Sequence, residues 1–189
     1  MAAARGSDLV VIRVIGLGNM LQAPALQEFA EEQIRLGFKR FVFDLERCRS
    51  LDSTFMGVMV GIHLALIVEP SQDLEALDPA DAARELRAQL KSAATGTNKG
   101  QIAGAVSAVN ATAEVAQLMN MLGVDRFVKM RGSCELNQLE TTILPEKSLA
   151  PEERHQLILA AHENLVEIDK RNEAKFGPLL KALSQALEK

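Results

Sequence analysis

The chain has no tryptophan and no tyrosine, and its only aromatics are seven phenylalanines in 189 residues. Single-stranded nucleic acids and sugars are held by stacking on aromatic faces, so the chain is poorly equipped to bind them. Positive charge is also short. Twenty-one Lys and Arg stand against 25 Asp and Glu, a net charge of -4, with no basic cluster of the kind phosphate contacts need. No nucleic-acid partner is expected. The two cysteines, Cys48 and Cys134, lie far apart without Cys-x-x-Cys or Cys/His spacing, which indicates neither a disulfide framework nor a zinc site. No metal and no cofactor are expected. The longest apolar run, Phe55 to Val68, is 14 residues and contains His63, short of the roughly 20 that cross a bilayer. The opening MAAARGSD has no signal-peptide core. A soluble, cytoplasmic protein without membrane insertion is the expectation.

What is present is a 48% apolar fraction, enough for a core of Ala, Val, Leu, Ile and Met. Asp8 to Ile15 reads as a strand, and Pro24 suits the first turn of a helix whose Leu26, Phe29, Ala30, Ile34 and Leu36 keep a helical period until Gly37. Phe41 to Phe43 is a second strand ending at Asp44-Leu45, followed by a polar turn, Glu46 to Ser50. Ser53-Thr54 is placed to cap the apolar helix from Phe55, in which Gly57 and Gly61 would let it pack close to a sheet. Residues 69–100 change character: a charged helix over 79–91, then a Gly, Ser, Thr and Asn exit, read as a solvated insertion. Ile102 to Val109 resumes a strand. A helix carrying Val115, Leu118, Met119 and Leu122 ends at Gly123, and Phe127-Val128 is a last strand. Strands alternating with helices imply an α/β fold with a largely parallel sheet. After Pro145 two amphipathic helices, broken at Gly177-Pro178, form a hairpin that packs its Leu stripe on the core or a partner.

Gly16-Leu17-Gly18 after a strand raises the question of dinucleotide binding. The fingerprint wants a third small residue, but Leu21 stands there, Pro24 follows, and Asp44 is 26 residues beyond Gly18. A nicotinamide enzyme is disfavoured on those grounds.

The segment FDLERCRSLDSTFMGVMVGI, Phe43 to Ile62, points elsewhere. Asp44-Leu45 ends a strand, and after a turn Leu51-Asp52-Ser53-Thr54-Phe55-Met56-Gly57 opens a helix. This resembles the STAS domain of bacterial anti-sigma-factor antagonists, with Asp-Ser-Ser/Thr-Gly-Leu-Gly at that place. Gly16-Leu17-Gly18-Asn19 stands where the family tends to have Gly-Glu-Leu-Asp, and Leu122 to Phe127 resembles its late leucine-glycine-leucine segment. Phe55 departs from the family's glycine and Asn19 from its aspartate. The resemblance implies a STAS-like mixed sheet of four to five strands over residues 1–135, with 69–100 inserted and a helical extension over 136–189. It also implies a regulatory binding protein and not an enzyme: an anti-sigma-factor antagonist phosphorylated at Ser53 (Thr54 as the alternative) by a partner anti-sigma-factor serine kinase.

Elementary chemistry describes such a switch independently of any family. A serine at a helix start has orphan backbone N–H groups beside it, and phosphate adds about -1.5 to -2 charges there. The helix would tolerate that charge, whereas a contact surface would not. The expected partner-binding patch is Asn19, Asp52, Ser53, Thr54, Phe55 and Met56, with Phe55 and Met56 as an apolar rim. The competing reading makes Ser53 a plain cap and the chain a non-phosphorylated structural STAS subunit of a stressosome-like or lipid-transport assembly. The C-terminal helices are then a surface for homo-oligomers. His63 reads as a core histidine, and His155 and His162 as solvated or interfacial.

Overall fold

The β-branched run Leu9–Arg13 (β2), the segment Arg40–Asp44 (β4) and Val106–Val109 (β6) form adjacent parallel strands of one sheet. The computed structural model describes residues 1–5, 9–67, 105–133 and 142–187, and the expected insertion over 69–100 lies outside them, as does Cys134. Lys129–Met130 (β7) extends the sheet beyond β6 in parallel. On the other side Ala2–Arg5 (β1) pairs antiparallel with β2, and Thr142–Ile143 (β8) antiparallel with β1. The sheet is therefore α/β and mostly parallel, with the order β7-β6-β4-β2-β1-β8. Six strands replace the expected four to five. The additions are β1, an alanine strand that β-propensity would not flag, and β8, which gives the C-terminal extension a strand as well as helices.

The helices Ala23–Arg35 (α1), Ser53–Ile67 (α2) and Ala113–Met121 (α3) connect the parallel strands, each step moving outward in one direction. Right-handed crossovers taken the same way lay their helices on one face, and α1 and α2 pack together there. Val10, Ile12, Phe41, Phe43, Val106 and Ala108 meet them in the core. A run of one-way crossovers has no reversal of strand order, the place where open α/β sheets bind dinucleotides. The Gly-Leu-Gly segment is itself a short strand, Gly16–Gly18 (β3), paired in parallel with Cys48–Leu51 (β5) where a polar turn was expected. A Cβ on Gly18 would lie 2.6 Å from the Leu51 side chain and 3.1 Å from Phe55, so side chains fill the space a pyrophosphate would need.

Helix α2 is apolar on every side because it is covered on both. The sheet and α1 take one face, and the tail helix Pro151–Ile168 (α4) takes the other. The glycines point to α4 and not to the sheet: a Cβ at Gly57 would be 2.2 Å from the Ala161 carbonyl oxygen, and one at Gly61 2.8 Å from Asn164 Nδ2. Leu157, Ala161 and Leu165 of α4 are buried against it. Each buried leucine is worth about 1.5–3 kcal/mol, so apolar packing holds α4 down and polar contacts fix its register.

The last helix is Arg171–Leu187 (α5), and it runs through Gly177-Pro178, where a break was expected. Gly177 has no Cβ to clash with the proline ring, which removes much of the usual obstacle. The break falls at Asp169-Lys170 instead. Asp169 accepts from the Arg171 backbone and guanidinium, and those hydrogen bonds hold its carboxyl down at about 2. Asn172, fully buried, donates to the carbonyls of Leu122 and Leu165 and ties α5 to α3 and α4. Among the described residues no helix is long and apolar enough to cross a membrane.

Two expectations follow. Gly57→Ala pushes against the α4 backbone and should cost about 1–3 kcal/mol by urea denaturation. Gly177→Ala puts back the Cβ that the Pro178 ring disfavours within a helix, so the gain of about 0.5–1 kcal/mol usual for Gly→Ala in a helix should be absent there. His63 of α2 is buried edge-on against Phe127 at 5.7 Å, and burial lowers its pKa from 6.5. The unfolded chain therefore binds its proton first as pH falls. Its contribution to stability is complete above pH 6.5 and declines below it. His63→Leu should flatten stability between pH 7 and 5, and an unchanged slope would contradict this.

Candidate functional site

The corner where β3, β5 and α2 meet is fixed by one carboxylate. Asp52 Oδ1 accepts from the Phe55 amide at 2.8 Å and Oδ2 from the Met20 amide at 2.8 Å, while the Asp52 amide donates to the Gly18 carbonyl. Asp52, and not Ser53, is therefore the N-cap of α2, and Ser53 is the first residue of the helix. The sequence allowed either, since Ser and Asp are equally good caps. The side chain three residues before Phe55 decides it. Asn19 closes the neighbouring turn, its Oδ1 accepting from the Leu21 amide and its carbonyl from Gln22 and Ala23, and so leads the chain into α1.

Of the six residues expected to form a partner surface, the fold brings Asn19, Asp52 and Ser53 together, all partly exposed. Thr54, Phe55 and Met56 are buried instead. Phe55 is 0% exposed because the first turn of α2 already lies over the core, where its ring fills the space above Gly18. The expected apolar rim of Phe55 and Met56 does not exist, and Thr54 offers no accessible hydroxyl. Apolar surface at this corner comes from residues that the expected patch did not include: Ile15 at 39%, Leu17 at 46% and Leu21 at 57% exposure. The one legible signal was Leu17 between two glycines in a strand whose alternate face is turned outward.

Ser53 is half-buried, and its Oγ lies 2.9 Å from His162 Nε2 of α4. His162 Nδ1 is 2.7 Å from the Ile158 carbonyl. A carbonyl only accepts, so Nδ1 carries a proton, and in the neutral ring Nε2 accepts from the Ser53 hydroxyl. The Phe176 ring of α5 stands edge-on to the imidazole at 4.6 Å. His162 is thus buried, where a solvated or interfacial residue was expected, and its partner is 109 positions away. Asn164 Nδ2 donates to the Gly57 carbonyl at 3.2 Å one turn further along α2. His155, expected like His162 to be solvated or interfacial, is only partly buried.

Two other groups singled out from the sequence are structural. Burial alone would raise the Asp44 carboxyl, but hydrogen bonds from Asn110, Arg13 and the Glu46 amide outweigh it and hold it below the usual carboxylate range. Cys48 is buried, donates to the Ser50 carbonyl, and has its thiol pushed up by burial, so it is a poor nucleophile.

The Ser53–His162 contact is open to a double-mutant cycle. Ser53→Ala, His162→Ala and the double variant should reveal a coupling of about 1 kcal/mol in denaturation experiments, and additive losses would contradict the hydrogen bond.

No family model matches the chain, and no curated protein matches it in sequence. Among solved structures, the NMR structure of the protein TM1081 is similar at 16% identity, over 69% of this chain and 79% of that one, with a TM-score of 0.45.

Proposed function

We propose that this chain is a regulatory protein-binding module of the anti-sigma-factor-antagonist kind, acting in the cytoplasm, whose contact with a serine-kinase partner is switched by phosphorylation of Ser53. The observation that supports this reading is the make-up of one corner. A serine hydroxyl opens α2 on a turn that Asp52 holds rigid, and the apolar side chains of Leu17 and Leu21 stand exposed on the adjoining segment. Exposed leucines supply contact area, and the serine supplies a place to put charge.

Phosphate at Ser53 would bring about two negative charges next to the Asp52 carboxylate and beside that apolar edge. The first turn of α2 stabilises part of the charge, so the core need not suffer. A partner seated on the corner would lose affinity through desolvation and repulsion. Thr54 drops out as the acceptor because it is buried. Tight positioning by Asp52 rather than by Ser53 leaves the serine free to change without uncapping the helix.

A second reading, a structural subunit in which Ser53 is never modified, is favoured by one observation: α4 covers the outer face of α2 and its His162 occupies the Ser53 hydroxyl. The two readings separate in one experiment. The purified protein is incubated with ATP and an anti-sigma-type serine kinase from the same genome, and its intact mass is measured. The switch predicts one added phosphate on the wild type and none on Ser53→Ala. An unmodified wild type, or equal modification of the variant, rejects it.

A further inference from the structure

We propose that α4 is a mask carried by the chain itself over Ser53, and that docking of α4 and a phosphate on Ser53 exclude each other. The inference rests on the phospho-switch reading and gives that site its regulation.

The closed state leaves the serine no freedom. Its hydroxyl is engaged at 2.9 Å by an imidazole that is itself held by the Ile158 carbonyl and the Phe176 ring. The neighbouring Asp52 carboxylate is committed to the Phe55 and Met20 amides, so it cannot turn away from an incoming charge. Phosphoryl transfer forms the Oγ–P bond as the γ-phosphate of ATP parts from ADP, and the hydroxyl proton passes to the kinase's base. In the closed state that proton is already donated to His162. A phosphate attached here would have to be placed against a ring at hydrogen-bond distance, within a contact that Leu157, Ala161 and Leu165 make with α2 beside the Asn164 amide. Three oxygens with nearly two charges need water or several donors. The docked helix offers a single ring nitrogen beside apolar side chains, and leaves the serine only half open to solvent.

Both ends of α4 are tied to the body. Ahead of it the Leu144 amide donates to the Met1 carbonyl at 3.1 Å, Leu144 and Leu149 pack on the core, and Lys147 pairs with Glu28 at 2.9 Å. Beyond it Asn172 and Lys175 of α5 donate to the Leu122 and Met121 carbonyls at the end of α3. Between these ties α4 is held to α2 by the contact that a charge on Ser53 would strain, so that contact is what parts. Phosphorylation then does more than add charge to a surface. It keeps α4 off α2 and exposes the Gly57–Gly61 face.

The test uses the full chain and no kinase. Hydrogen exchange read by mass spectrometry compares wild type with Ser53→Asp. The amides of 151–168 should exchange about tenfold faster in the variant, while β2 and β4 keep their rates. Independently, Ser53→Cys in a Cys134→Ser background is alkylated with iodoacetamide, with and without Gly57→Ala, which lifts α4 without touching residue 53. Alkylation should be about tenfold faster with Gly57→Ala. Unchanged exchange of 151–168 in Ser53→Asp overturns the proposal, and so does alkylation indifferent to Gly57→Ala. Because neither arm needs phosphorylation, a mask found on a serine that no kinase modifies would refute the switch and leave the mask standing. A phosphorylated serine that was never masked would do the reverse.

Discussion

The close approach of α2 and α4 at Gly57 organises this molecule. Two helix backbones meet where a single methyl would lie 2.2 Å from a carbonyl oxygen, and most of what is distinctive about the chain follows from that contact. It explains why α2 is apolar all round, since a helix with one face on a sheet and the other under a second helix has no side left for water. It sets His162 over Ser53 and Asn164 over the Gly57 carbonyl, because α4 can dock in only one register against two glycines spaced by one turn. The tail is part of the fold.

Packing and polar contacts divide the work. Leu157 and Leu165 supply the free energy of docking, on the order of several kcal/mol, and a neutral hydrogen bond such as Ser53–His162 adds about one. The polar contacts decide geometry instead. Asp52 welds the β3 turn to α2, Asp44 gathers Arg13, Asn110 and the Glu46 amide at the ends of the central strands, and Asn172 joins three helices through two carbonyls. Each is a short side chain placed where backbone groups would otherwise be orphaned. This division matters for regulation: a contact held by apolar area and registered by one hydroxyl can be biased by chemistry at that hydroxyl without harming the core.

Much of the α/β order was legible in the residues. Val, Ile and Phe runs mark β2 and β4, and the period of Leu26, Ala30 and Ile34 marks α1, because local pattern and tertiary environment agree there. The alanine strand β1 was not legible, since its stability comes from pairing with β2 and β8 and not from propensity. Gly57 and Gly61 were read correctly as a close-packing face but assigned to the sheet. Spacing tells how near a neighbour comes, not which neighbour it is. Phe55 was placed on a rim because it follows a cap, yet the core begins within one turn of Asp52. Asp52, Ser53 and Asn19 stood out as a group from sequence, whereas His162 could not, because no local pattern links positions 109 apart.

A serine that can carry charge lies under a helix that covers it, and everything else depends on the docked position of α4 in the unmodified chain. Nuclear Overhauser contacts in the full-length protein measure that directly. The account predicts strong contacts from the Gly57 Hα protons to the Ala161 amide and methyl, and from Ser53 Hβ to the His162 ring. Absence of both sets, in a protein whose β2 and β4 show ordinary sheet contacts, would contradict it.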